Sequence, residues 1–190
     1  MSSLDERLNA ILERVTADDF LCGRGLGNEV PFYAFDYPPS EELRVREHVR
    51  FLETAIPKRR PDVKVAVVNL FELLVEMLKD RGRFDKAVEM QQKKGDERLF
   101  DVLRAPLDSG RVAAELVKRV SPEDHQVIFI TGVGSAYPLV RTHNLLNNLQ
   151  PLIGQTPVVV FYPGRYDGQS LQLFGVLGEK PYYRAFRLVS

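Results

Sequence analysis

Thr131, Ser135, Arg165 and Asp167 are the side chains in this 190-residue sequence whose types and spacing suggest chemistry. The first two sit in Thr131-Gly132-Val133-Gly134-Ser135, a glycine-bearing turn directly after an apolar run. Such a turn could cradle a phosphate through backbone N–H groups, but the lysine and adjacent hydroxyl residue of a P-loop are missing. Ser135 with His143 invites a hydrolase reading. The Gly-x-Ser-x-Gly elbow is absent, however, and eight residues of turn and helix give the pair no reason to meet. His48, His125 and His143 are scattered singly and Cys22 is alone, so no metal-ligand spacing exists and no cofactor is expected.

Arg165 and Asp167 flank Tyr166 in the turn Tyr162-Pro163-Gly164-Arg165-Tyr166-Asp167-Gly168. Locally they read as an ion pair. Functionally, Arg165 could grip a carboxylate or phosphate on a partner, because a guanidinium binds such groups in a bidentate fork. Asn69, at the end of another apolar run, matches a helix N-cap with Glu72 as the acidic residue three positions on. Pro61-Asp62-Val63-Lys64 lacks the second acidic position of a nuclease signature. The short basic clusters Lys58-Arg59-Arg60 and Lys93-Lys94 read as solvated helix ends. Thr131, Ser135, Tyr162, Arg165, Tyr166 and Asp167 are therefore the candidate partner- or ligand-binding residues, with no catalytic set among them.

The elements that must position these residues follow from periodicity. Val63–Val68, Val127–Ile130 and Val158–Phe161 are β-branched and nearly continuous, as expected of strands covered on both faces. Helical patterns separate them, which predicts an α/β fold with a mostly parallel central sheet flanked by helices. Ligands of such sheets bind beyond the carboxyl ends of the strands, where Asn69, Thr131, Ser135, Arg165 and Asp167 would converge. Leu4–Val15 predicts an amphipathic helix. The chain loosens at Gly23, Gly25 and Gly27. Ser40 is then expected to cap a second helix burying Val45, Val49, Leu52 and Ile56, with Pro57 and Pro61 bracketing its end. Residues 70–125 read as a helical insertion, Pro138–Leu149 as a further helix and Tyr183–Val189 as a last strand. The expected organisation is one α/β domain over 1–190, with a helical segment at 1–60 and the sheet core at 61–190.

Charge is balanced at 26 basic and 26 acidic residues, which argues against a general nucleic-acid or anionic-membrane binder. The total hides a division: residues 126–190 carry 5 basic and 2 acidic side chains. That charge-poor third concentrates Phe161, Tyr162, Tyr166, Phe174, Tyr182 and Tyr183 among glycines. Some belong to a core, and at least two are expected to face a partner, since interfaces concentrate aromatics with occasional arginine. A single cysteine, no apolar run near the ~20 residues that span a bilayer, and a charged opening helix instead of a signal peptide predict a cytoplasmic protein.

The stretch Phe161–Leu171, then Leu173-Phe174-Gly175, then Tyr182–Leu188 resembles the C-terminal signature of the BrxB family, a component of BREX bacteriophage-exclusion systems. Phe129–Gly134, the helix after it and the Leu4–Val15 helix fit as well, so the resemblance runs over almost the whole chain. It implies a role in antiviral defence beside a methyltransferase, a large ATPase and the alkaline-phosphatase-like PglZ protein, with PglZ the first partner to name. It carries over no catalytic residue. The expectation is thus a non-enzymatic adaptor working with other BREX proteins, with no direct nucleic-acid binding and self-association left open; the alternative is a nucleotide- or phosphate-binding module with a degenerate ATPase-like fold.

Overall fold

A computed structural model describes residues 3–22, 31–178 and 185–189. The chain opens with α1 (Leu4–Val15), whose start is fixed by a capping box. Ser3 Oγ accepts from Glu6 N–H at 3.2 Å, and Ser3 N–H donates to a Glu6 carboxylate oxygen at 2.7 Å, so two otherwise orphaned donors are satisfied. A short α2 (Asp18–Leu21) buries Phe20. Gly23, Gly25 and Gly27 lie outside the described residues.

The first strand, β1 (Phe32–Tyr37), falls inside the segment expected to be helical over 1–60. It takes an interior place in the sheet, parallel to β4 (Val158–Tyr166) on one side and to β7 (Ala185–Arg187) on the other. The remaining parallel strands are β2 (Val65–Asn69) and β3 (Val127–Thr131), giving the order β2-β3-β4-β1-β7. The α/β class and mostly parallel sheet expected from the β-branched runs are therefore present. β2 differs from its expectation in one respect. It forms the sheet edge and all five of its residues are half-buried, whereas β3 is buried throughout.

Alternation of side chains sends each strand's residues to two separate cores. On one face, α1 and α3 (Glu42–Arg59) cover Tyr33, Phe35, Phe129 and Phe161. Their rings interlock, with Phe35–Phe161 centroids 5.7 Å apart and Phe129–Phe161 edge-to-face at 5.2 Å. Val45, Val49, Leu52 and Ile56 bury as expected, but a 3₁₀ turn at Pro39–Glu41 precedes α3, so Glu41 and not Ser40 is its N-cap. The helix also runs through Pro57 to Arg59.

On the other face lie α4 (Leu70–Asp80), α6 (Ser109–Val120) and α8 (Thr142–Ile153). Leu70, Leu73, Leu74, Met77 and Leu78 of α4 are all buried, and so are Val112, Leu116 and Val120 of α6. The expected helical insertion between β2 and β3 is thus built of α4, α5 (Phe84–Leu103, broken by a kink at Gly95, φ +78°) and α6, with α4 and α6 in the core layer. Only Leu103 of α5 is buried and Val102 is 40 % exposed.

After Pro163, β4 leaves the parallel sheet and pairs antiparallel with β5 (Leu171–Leu173), which pairs with β6 (Leu177–Gly178). The strand expected over Tyr183–Val189 is β7; Tyr182, Tyr183 and Arg184 lie outside the described residues.

Candidate functional site

The carboxyl ends of β2 and β3 meet in register, with Asn69 opposite Thr131. Asn69 caps α4, its Oδ1 accepting from Phe71 N–H at 3.1 Å and Glu72 N–H at 3.4 Å, while its Nδ2 donates to Glu72 Oε1 at 2.9 Å. The capping role expected of this pair is its structural role. Thr131 is buried, and its hydroxyl lies 3.4 Å from the Val68 carbonyl oxygen. Ser135 is exposed in α7 (Val133–Ala136), a single turn of helix.

Two glycines let these parts approach. At Gly132 the backbone takes φ +70°, and a Cβ there would lie 2.1 Å from Asn69 Oδ1. A Cβ at Gly134 would meet both Pro163 and the Phe174 ring at 3.0 Å. Protein atoms fill the space where a side chain would stand at both positions, so glycine there allows the turn to pack against Asn69, Pro163 and Phe174.

The other candidates lie on the β4–β5 arm. Tyr162 is fully buried in the core on the α4–α6–α8 side. Tyr166 is also buried. Its N–H donates to Asp36 Oδ2 at 3.0 Å, and its hydroxyl lies 2.5 Å from the Ala185 carbonyl oxygen and 3.0 Å from that of Gly168. The Arg187 guanidinium also donates to the Tyr166 carbonyl oxygen. Burial pushes the Tyr166 phenol above its ordinary value, the Asp167 charge adds to this and Arg187 opposes it. These two tyrosines hold the arm to the sheet; neither is available to a partner.

Arg165 and Asp167 are exposed and no ion pair joins them. Asp167 instead closes the β4–β5 turn: Oδ1 accepts from Ser170 N–H at 2.7 Å and Gln169 N–H at 2.8 Å, and Oδ2 from the Ser170 hydroxyl at 2.9 Å. Those bonds, Ser170 N–H first, hold its carboxyl below the ordinary value. Arg165 stands across from Gln172 with its side chain in solvent. The expected convergence of all five residues is therefore not met: Asn69, Thr131 and Ser135 lie at the ends of β2 and β3 and the turn that follows, while the arm carries Arg165 and Asp167 away.

No motif in the sequence marks Asp36. Its Oδ1 pairs with Arg7 Nη2 at 2.7 Å while its Oδ2 takes Tyr166, so one carboxylate ties α1, β1 and the arm together. Nor does any motif mark what the arm displays. Leu171 and Leu173 are buried beneath it, yet Phe174, Val176 and Leu177 at its tip are exposed, Val176 by 80 %. Phe174 holds a left-handed φ of +56°, rare for an aromatic residue, with its N–H on the Pro163 carbonyl at 2.9 Å. Among the described residues there is no cluster of His, Cys, Asp and Glu suited to a metal, and no helix long and apolar enough to cross a membrane.

Comparison with known proteins meets this geometry with a family. Residues 66–188 match the family described as BREX protein BrxB. A BREX protein BrxB of Bacillus cereus (strain H3081.97) is 38% identical over 193 residues, covering 100% of this chain and 99% of the relative. One from Escherichia coli O9:H4 (strain HS) is 41% identical over 186 residues, covering 98% and 92%. No solved structure matches the chain. With its opening helix, the Phe129–Gly134 run and the β4–β5 arm all inside these matches, the chain belongs to the BrxB family and so to the BREX systems of antiviral defence.

Proposed function

We propose that this BREX component is a non-enzymatic adaptor that binds another protein of its system through the tip of the β4–β5–β6 arm. The observation that carries the reading is the exposure of Phe174, Val176 and Leu177 on an arm whose base is fixed by buried Tyr166, Leu171 and Leu173. A rigid base with an apolar tip and a neighbouring arginine, Arg165, has the chemistry of a protein-binding surface. Phe174 holds its left-handed backbone, at a cost of about 1–2 kcal/mol, with its N–H on the Pro163 carbonyl and its ring beside Gly134, which leaves Val176 as the most exposed side chain of the three. The polar groups at the strand ends support the same reading, because Asn69 and Asp167 are engaged in a cap and a turn. The partner named first, by family resemblance, is the alkaline-phosphatase-like PglZ protein.

The test is recovery of PglZ with tagged protein from cells expressing the whole system. Val176→Asp and Arg165→Glu change exposed side chains, so both variants keep the wild-type melting temperature and lose PglZ by about tenfold or more. Undiminished recovery with both variants overturns the assignment.

A further inference from the structure

At the opposite end of the sheet from β7, β2 has a neighbour on one side only among the described residues. In a parallel ladder alternate residues turn both backbone groups to the same neighbour. The Lys64 carbonyl accepts from Val127 N–H, and Ile128 N–H turns away to the Pro157 carbonyl, which fixes the phase. Ala66 and Val68 therefore face β3, and the N–H and C=O groups of Val65 and Val67, with the N–H of Asn69, point out of the sheet. Among the described residues no backbone group bonds them. Natural edges are commonly blunted by charge, proline or a bulge. Val65-Ala66-Val67-Val68-Asn69 has none of these within it.

Beside this edge runs an open groove of about 340 Å³, floored by Ala66 and Val68 and walled by Glu72 and Glu76 of α4 and by Arg119 and His125 beyond it. Arg119 is already engaged by Glu76, by Asp80 at 2.7 Å and by Glu115 at 2.8 Å. The charge left over at the groove is negative. Lys64 lies at the other end of the strand.

We propose that β2 is a docking edge that takes an extended segment of a partner protein, rich in valine or threonine, with a lysine or arginine directed at Glu72, the groove carboxylate that Arg119 does not engage. Backbone hydrogen bonds to Val65 and Val67 supply the attachment, and the basic side chain over the acidic wall sets the choice of segment. A second copy fits less well. Pairing β2 with itself about a two-fold axis lays α4 and α6 beside their own copies and sets the two acidic walls against each other. The proposal is independent of the apolar tip of the β4–β5–β6 arm, since it uses a different edge and different residues.

The probe is a synthetic peptide of about ten residues alternating valine and threonine with lysine, long enough to span the edge. On titration into the whole protein, amide exchange at Val65, Val67 and Asn69 slows, and the same peptide with glutamate for lysine binds at least about tenfold more weakly. Val67→Pro removes an outward N–H without touching the β3 ladder and weakens the lysine peptide by about tenfold or more. The exchange readout needs no variant, so a poorly folding Val67→Pro does not decide the matter. No binding at millimolar peptide, saturation without protection at those amides, or equal binding of the two peptides overturns the proposal. A dimer in sedimentation that Val67→Pro dissolves gives the edge to a second copy and overturns it as well.

Discussion

Asp36 and Tyr166 stand 130 residues apart in sequence and one hydrogen bond apart in the fold, Tyr166 N–H donating to Asp36 Oδ2 at 3.0 Å. The same carboxylate pairs with Arg7, and the two side chains are only 13% and 16% exposed. Removing the acid leaves a largely buried guanidinium and a backbone donor without their acceptor. Asp36→Ala is therefore expected to destabilise the protein by about 1–3 kcal/mol in urea denaturation, less than a fully buried pair would cost because some solvent reaches this one. Arg7→Ala combined with it costs less than the two separate losses added together. Additive losses would show that the two residues are not coupled.

Tyr166 tests what the arm rests on. Tyr166→Phe loses only the hydroxyl's contacts with the Ala185 and Gly168 carbonyl oxygens and costs about 1 kcal/mol. Tyr166→Ala empties a fully buried ring site and costs about 3–5 kcal/mol. Partner loss in Tyr166→Ala would thus report a damaged arm, which is why Arg165 and Val176 are the surface probes. Equal melting temperatures for wild type and Tyr166→Ala would refute the anchoring role.

The contact between Gly132 and Asn69 gives a prediction in which one change relieves another. Asn69→Ala forfeits the α4 cap at about 1 kcal/mol. Gly132→Ala forces a Cβ against Asn69 Oδ1 in a left-handed backbone and costs about 2 kcal/mol or more. The double variant loses less than the sum, because the shortened side chain no longer obstructs the new methyl. Strict additivity in thermal unfolding would rule out the clash.

Asp167 predicts an acid limb. Its carboxyl is held below the ordinary 3.8 by backbone donors of the folded turn, led by Ser170 N–H. The unfolded chain therefore binds the proton first as pH falls. The turn's contribution is fully present above the ordinary value and disappears as pH drops through the lowered one. Amide exchange at Gln169 and Ser170, compared between wild type and Asp167→Ala, should differ at neutral pH and converge in strong acid. A gap that persists unchanged to the lowest pH would contradict this.

The sheet's class was legible because β2, β3 and β4 are runs of β-branched residues, and a strand covered on both faces has little to lose by being apolar throughout. β1 was hidden because Phe32-Tyr33-Ala34-Phe35-Asp36-Tyr37 carries aromatics and an acid where the other strands carry valine. Its identity as a strand comes from pairing with β4 and β7, more than a hundred residues on. The edge position of β2 is likewise a consequence of strand order, which no local pattern encodes. At the candidate site the strand-end rule located Asn69, Thr131 and Ser135. It could not tell that Tyr162 and Tyr166 point inward, because an aromatic run next to glycines reads the same whether the rings face a core or a partner.

The interior place of β1 also sets an order of events during synthesis. A ribosome releases residues 32–37 well before β4 and β7, the strands that flank β1, which lie more than a hundred residues further on. The nascent chain must therefore hold an aromatic strand unpaired on both sides until those distant strands have been made, and closure of the sheet is a long-range step. A fragment beginning at residue 61, although it spans the whole of the 66–188 family match, would lack the strand that joins β4 to β7.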